Sequence, residues 1–366
     1  MSISNKKLIE IFNLAVKDYA DHSDQKSSHW ASYYDSFEKF NKEENLINFR
    51  KDQILSSGCD DTIIKKSKLD ILELLDLFDN DFLKKNLSKK NIGNSNFCHK
   101  HLDYFFDFNE LYCLKWFQEF EEAVFKKSKI KSICEIGGGY GSLARVILNN
   151  YNVKYILIDL PEANLISAYY LKEHFPNKSF FLYNDLKDSK NLESLESFDI
   201  FILPPWAVFD KNLKIDFFIN ARSMMEMNFK VIEKYFIFIQ NHISQDGFFS
   251  NINRYQKKSV GENILLYKYP YDKNWEVVLS KKSFLQDHIH FLLTKRNFQT
   301  TLNNISNELK LIKKETESIS RKKIQIIESI KLTIKKITKF FITKIFSVKF
   351  LNRVGKKLYN IKKNNK

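Results

Sequence analysis

Residues 134–142, Cys-Glu-Ile-Gly-Gly-Gly-Tyr-Gly-Ser, constrain this chain more than any other stretch. A short apolar strand, Ile133 to Ile136, runs into a turn holding Gly137, Gly138, Gly139 and Gly141, and a helical pattern opens near Ser142. Glycine supplies positive φ at such a turn and lets backbone approach a ligand with no Cβ in the way. Strand, glycine turn and helix in that order form the first βα turn of a doubly wound sheet, where ligands sit beyond the carboxyl ends of the strands. The next apolar run, Tyr155 to Ile158, ends at Asp159, 18 positions after Gly141. A carboxylate at the end of a second strand is placed to accept hydrogen bonds from both ribose hydroxyls of an adenine-containing ligand.

Around this centre the chain divides into three. Residues 1–127 contain few glycines or prolines and read as a helical cap, with Leu8, Ile11, Phe12 and Ala15 at helical spacing. Ile71, Leu74, Leu75 and Phe78 repeat that spacing. Leu102 to Phe125 is rich in aromatic residues and is expected to pack on the sheet, while Trp30, Tyr33, Tyr34 and Asn48-Phe49-Arg50 read first as core and surface of the helical cap and alternatively as residues reaching over a cleft. Residues 128–300 alternate strand and helix, which predicts an α/β, doubly wound, Rossmann-like sheet. Seven strands are expected: 133–136, 155–159, 179–183, 199–203, 248–254, 275–279 and 288–294. Helices are expected from Pro161 to His174 and over a long stretch from Asn212 to Ile243.

Charge separates the third part. The chain carries a net +15, but residues 301–366 hold 18 Lys or Arg and 4 Asp or Glu, a net of +14, which leaves +1 for residues 1–300. A near-neutral body argues against nucleic acid as the partner, which the total alone would suggest. The tail is basic, helical and amphipathic: Ile327, Ile330, Ile334, Ile337, Phe341, Ile345 and Val348 make one stripe, with Lys331, Lys335 and Lys339 beside it. Helices of this kind lie on anionic membrane surfaces, or pack against a second copy. Cys59, Cys98, Cys113 and Cys134 form no C-x-x-C pair, and the charged N-terminus is not a signal peptide, so a reduced, cytoplasmic setting is expected, peripheral to the membrane if the tail binds one. The Cys98-His99-Lys100-His101 group lacks a second pair at zinc spacing, and no metal is assigned.

Glu135 before the glycines, in E-I-G-G-G-Y-G, resembles motif I of class I S-adenosylmethionine-dependent methyltransferases. Taken with Tyr155 to Glu162, Tyr169-Tyr170-Leu171, Asn220 to Met227, Asn253-Arg254, Trp30, Leu46 to Arg50 and Gln286 to Arg296, it resembles the sugar O-methyltransferase family found among bacterial surface-polysaccharide enzymes. The resemblance covers roughly residues 27–300 and implies S-adenosyl-L-methionine as cofactor, with a sugar or glycan-precursor hydroxyl as methyl acceptor. It assigns Glu135, Gly137, Gly138, Gly139, Tyr140, Gly141, Asp159, Leu160 and Asp185 to the cofactor, Asp185 toward the adenine amino group. It places Trp206, Asn220, Arg222 and Ser223 on the acceptor side. Pro204-Pro205-Trp206 is similar to the N-P-P-Y motif of amino-methyltransferases acting on nucleic acid, but Leu203 stands where that motif needs a hydrogen-bond acceptor.

Methylating an alcohol requires removal of the hydroxyl proton, and histidine is the natural base near neutral pH. His288 and His290 lie two apart and would share one face of a strand. Glu226 is the other candidate, at the end of a loosely aligned polar stripe with Asn220 and Ser223 that also reads as a helix start. A methyltransferase for nucleic acid or another small molecule, and a non-catalytic binding module on the same fold, are the rival readings.

Overall fold

The computed structural model describes residues 3–19, 38–51, 74–96, 98–101, 103–258, 261–284, 286–297 and 304–321, with isolated tail positions from 325 to 353. It comprises two compact units, Met1–Ile312 and Lys313–Lys366. Trp30, Tyr33, Tyr34, Ile71, Ile327, Lys339, Phe341, Ile345 and Val348 lie outside the described residues.

The first unit opens with helix α1 (Asn5–Asp18), whose start is fixed by the Ser4 hydroxyl accepting from Lys7 N. Leu8, Ile11, Phe12 and Ala15 are its buried face, as their spacing predicts. Short helices α2 (Glu43–Ile47) and α3 (Asn80–Asn86) follow. The reading of residues 1–127 as helical is corrected at 99–106, where β1 (His99–His101) and β2 (Tyr104–Phe106) pair as an antiparallel hairpin. Helix α4 (Phe108–Phe120) then starts at Asp107, whose carboxylate accepts from Glu110 N.

The sheet runs β3 (Ser132–Ile136), β4 (Lys154–Ile158), β5 (Phe180–Phe181), β6 (Ile200–Leu203), β7 (Ile215–Ala221) and β8 (Ile243–Arg254). Helices α5 (Ser142–Asn150), α6 (Pro161–His174), α7 (Tyr183–Ser189) and α8 (Phe229–His242) connect them. A two-stranded ribbon of β9 (Gln256–Lys257) and β10 (Ile264–Leu265) precedes the closing pair β11 (Trp275–Ser283) and β12 (Gln286–Arg296). Spatial order is β11-β12-β8-β7-β3-β4-β6-β5, parallel from β5 to β8, with β12 antiparallel to β8. The sheet therefore has eight strands and not seven.

The additional strand is β7, inside the stretch read as one helix from Asn212 to Ile243. Ile215, Phe217, Phe218 and Ile219 are each buried, because this run lies at the centre of the sheet with both faces covered. A buried parallel strand shows no alternation that would set it apart from a helix core. Helix α8 takes only the second part of that stretch. Because β7 pairs with β3 and the chain reaches it only after building β4, β5 and β6 on the other side, strand order reverses between β3 and β7. Open α/β sheets bind ligands beyond the carboxyl ends of the strands at such a reversal.

Aromatic packing joins cap to sheet. Phe120 of α4 meets Phe217 of β7 edge-on at 5.1 Å and Phe291 of β12 at 5.7 Å. Helix α1 packs on α6, where Lys172 donates to Asn5 Oδ1 at 2.6 Å. The unit ends in helical residues 305–312, with Ile305 and Ile312 buried. In the second unit Ile330, Ile334 and Ile337 are exposed, and no described helix is long and apolar enough to cross a membrane.

Candidate active site

The glycine turn is built against both neighbours of β3. Gly137 N donates to Ile158 O of β4 at 2.7 Å. On the other side the Ser223 hydroxyl, just past β7, donates to Ile136 O at 3.1 Å. Gly137 has φ +74°, and a Cβ there would lie 2.0 Å from Ser223 Oγ. Gly139 also has positive φ, +57°, yet a Cβ there would meet nothing within 4 Å. The first glycine is required by packing; the second borders open space.

Asp159 closes the other wall. Its Oδ2 accepts from Gly139 N and its Oδ1 from Leu160 N, both at 2.8 Å. An ionised carboxylate has about four lone-pair positions, so each oxygen can accept one further donor. Burial, with the nearby Glu162 and Glu226 carboxylates, pushes Asp159 up to about 6 against the pull of those two N–H bonds. Glu135 lies deeper, at the end of β3, and accepts from Tyr155 Oη at 2.7 Å. Burial raises it to about 7, despite the Tyr155 bond, with Asp159 adding to the rise.

Tyr140 faces the cap. Its hydroxyl accepts from Asn109 Nδ2 at 2.9 Å, and the Arg50 guanidinium lies over its ring at 5.4 Å. Phe49 packs on the same ring at 5.6 Å. Phe49 and Arg50 are thus buried beneath the glycine turn and do not reach over a cleft. Arg50 Nη2 pairs with Asp107 Oδ2 at 2.6 Å, and Arg145 Nη2 stands 3.9 Å from Glu110 Oε1. All four of these charged side chains are buried. This quartet is a part of the site that sequence reasoning missed.

Asp185 lies within the first turn of α7. Its Oδ2 accepts from Leu182 N at 2.7 Å and its Oδ1 from Asn184 Nδ2 at 3.2 Å, the geometry of a helix start. Trp206, after β6, stacks on Tyr19 at 5.3 Å, and Tyr183 meets it edge-on at 6.2 Å. Asn220 is fully buried and bridges strands: Nδ2 donates to Ile136 O, and Oδ1 accepts from Met224 N and Asn253 Nδ2. Asn220 and Ser223 therefore hold the β3–β7 junction together. Arg222 and Glu226 stand on the loop after β7, Glu226 paired with Lys257 at 2.5 Å.

The histidines are separated. His290 is buried, Nε2 at 2.8 Å from Ser280 Oγ and Nδ1 at 2.9 Å from Tyr255 Oη. Ser280 donates onward to Glu308 at 2.5 Å, so Nε2 carries the proton and Nδ1 accepts from Tyr255. Both ring nitrogens of His290 are thus engaged within the protein. His288 is exposed, because the hairpin shifts register between Lys282 and Ser283 and the cover over His290 stops short of it. Both histidines lie on β12, as their spacing predicts, and they differ in burial.

One expected result follows from the glycine geometry. Gly139→Ala should fold at a cost of about 1–2 kcal/mol for a left-handed alanine, while the added methyl occupies the open space. Calorimetric titration with S-adenosylmethionine, the cofactor that the motif I resemblance implies, should then show binding lost with the fold intact; unaltered binding would place the ligand elsewhere.

No protein-family profile matches this chain, and no curated protein matches it. Among solved structures, it is similar to a mitomycin 7-O-methyltransferase at 14% identity and TM-score 0.31, over 51% of this chain and 57% of that one. A putative methyltransferase from Escherichia coli gives 12% identity and TM-score 0.32, over 51% and 87%. An amino pentose methyltransferase from Micromonospora echinaspora, solved with bound S-adenosylmethionine, gives 8% identity and TM-score 0.35, over 54% and 100%. The doubly wound assignment rests on the strand order and turn geometry of the chain itself.

Proposed function

We propose that this protein transfers a methyl group from S-adenosyl-L-methionine to a sugar hydroxyl, on a precursor of a bacterial surface glycan. The observation that carries the proposal is the Asp159 carboxylate, held by Gly139 N and Leu160 N beside open space at the strand-order reversal. Its spare lone pairs suit the two hydroxyls of a ribose. Gly137 to Gly141, Tyr140 and Leu160 would line the same cofactor, with Glu135 beneath them. The cofactor supplies an electrophilic methyl on a sulfonium. The chain's task is then to hold an acceptor oxygen in line and take its proton.

Glu226 is our candidate for that proton. It is close enough to Asp159 to raise that residue's pKa, and Lys257 donates to its Oε1 at 2.5 Å. Trp206 offers an aromatic wall of the kind on which a sugar ring packs. Incubating the full chain with cofactor and a panel of nucleotide-linked sugars, with mass spectrometry of the products, tests the reading. Addition of one methylene to a sugar is expected; methylation of nucleic acid alone, or of nothing despite cofactor binding, would refute it.

The exposed Ile330, Ile334 and Ile337 beside Lys331, Lys335 and Lys336 support a second element of the proposal, that the tail lies on an anionic membrane. The full chain should float with anionic but not neutral vesicles. It should detach at about 1 M salt, where the Debye length is about 3 Å. Equal flotation with both vesicles would exclude the electrostatic part.

A further inference from the structure

Three asparagines stand near the carboxyl ends of two neighbouring strands: Asn220 on β7, Asn251 and Asn253 on β8. All three are fully buried. Apolar side chains of the same shape could fill this space with little loss of stability. Buried amides whose groups are all answered instead fix one arrangement. An amide offers one oxygen and two N–H donors. Asn253 Nδ2 donates to Asn220 Oδ1 at 2.8 Å and to Asn251 Oδ1 at 2.6 Å, and Asn253 Oδ1 accepts from Met225 N at 3.0 Å. Asn220 Oδ1 accepts in addition from Met224 N at 3.1 Å.

Those two N–H groups open the short helical turn Met224–Glu226. The first N–H groups of such a turn have no partner within it. Side chains of β7 and β8 supply the partners, so the sheet, and not the loop itself, holds the turn that carries Glu226. The other end of the network reaches the glycine turn. Asn220 Nδ2 donates to Ile136 O at 2.8 Å and to Ser223 Oγ at 2.6 Å, and Ser223 Oγ donates to Ile136 O at 3.1 Å. Ile136 immediately precedes Gly137, over which Ser223 is packed. An unbroken chain of hydrogen bonds therefore joins the residue before the glycines to the turn bearing Glu226. The loop enters this arrangement through Arg222, at φ +67°, with its N–H donating to Ile252 O of β8 at 2.7 Å. A left-handed conformation costs a non-glycine residue about 1–2 kcal/mol, and it persists where the surroundings over-determine it.

We infer that Asn253 is a positioning residue for methyl transfer: through Asn220 and Ser223 it ties the turn bearing Glu226 to the glycine turn, so that occupation of one turn steadies the other. The inference rests on the methyl-transfer reading, with Glu226 taking the acceptor proton. Asn253 itself touches neither cofactor nor acceptor.

Hydrogen exchange followed by mass spectrometry on the full chain tests it, with S-adenosylmethionine as the probe. In the native chain the cofactor should slow exchange in residues 222–228 by about tenfold, an ordinary size for coupling between two sites. Asn253→Leu should abolish that slowing while cofactor affinity by calorimetry stays within about twofold. Asn251→Leu is the control for a purely structural role, since Asn251 is equally buried in the same network but hydrogen-bonds toward Tyr271 and not to the turn; it should keep the slowing. On the sugar that the native chain methylates, Asn253→Leu should lower kcat by about 10²-fold, the usual consequence of a misplaced reacting group, with KM for cofactor little changed. The inference is overturned if cofactor leaves exchange in 222–228 unaltered in the native chain, if Asn253→Leu responds as the native chain does, if Asn251→Leu loses the response equally, or if Asn253→Leu loses the cofactor instead. A native chain that takes no cofactor would defeat the methyl-transfer reading; faster exchange of 222–228 in Asn253→Leu, and not in Asn251→Leu, would in that case still sustain the tie. Should the leucine variants fail to fold, Ser223→Ala decides, because it withdraws one hydroxyl from Ile136 O and Asn220 at a half-buried position. A reduced response to cofactor in Ser223→Ala supports the inference, and a native response overturns it.

Discussion

Asp159→Ala is expected to weaken S-adenosylmethionine binding by about 10²- to 10⁴-fold. Two hydrogen bonds to a charged acceptor are removed, each worth about 1.5–3 kcal/mol, and each 1.4 kcal/mol is a factor of ten. The pH dependence carries the same signature. Asp159 has a folded-state pKa raised to about 6, so the ligand-free protein holds this carboxyl partly protonated in mildly acidic solution. A ribose diol donates best to the ionised form, and affinity should fall as pH drops through about 6 and level off above it. Asp159→Asn, which cannot titrate, should flatten that profile. Calorimetry across the pH range measures both effects; an unchanged constant in Asp159→Ala would remove the residue from the cofactor site.

Arg50→Met is expected to destabilise the first unit by about 3–5 kcal/mol, the usual consequence of leaving a buried carboxylate without its partner. Asp107 would lose its 2.6 Å ion pair, and Glu110, whose pKa burial already raises, would lose a nearby positive charge. The double variant Arg50→Met with Asp107→Leu should recover most of the loss, less about 1 kcal/mol for the Asp107 cap on α4. Urea titration of the single and double variants forms the cycle. A single variant within 1 kcal/mol of the native chain would mean that the quartet is not holding the cap. Because Arg50 lies over Tyr140, the single variant should also bind cofactor more weakly, through a loosened turn and not a lost contact.

The sequence made the β3 turn and Asp159 legible because both depend on short-range geometry: glycine where φ is positive, an acid where a strand ends. The N-terminal face of α1 was legible for the same reason. Residues 215–221 were not, since a run buried on both faces has no period to read, and the polar Asn220 inside it gave no hint that it bridges β3 and β8. Spacing put His288 and His290 on one strand, but their different burial depends on where β11 stops covering β12, which spacing along one strand does not encode. Arg50 and Asp107 are 57 residues apart in a chain with 28% charged residues, so nothing local marks them as partners.

The docking of α1 on α6 has a consequence for how the protein is made. Synthesis delivers Asn5 and Asp18 well before their partners Lys172, Tyr183 and Lys187, which come more than 160 residues later. Arg50 likewise waits for Asp107. The α1 segment thus has its apolar face still in water until the glycine turn and α6 exist. Contacts of such long sequence separation are slow to form. Docking of α1 on α6 is therefore expected to be a late event of folding.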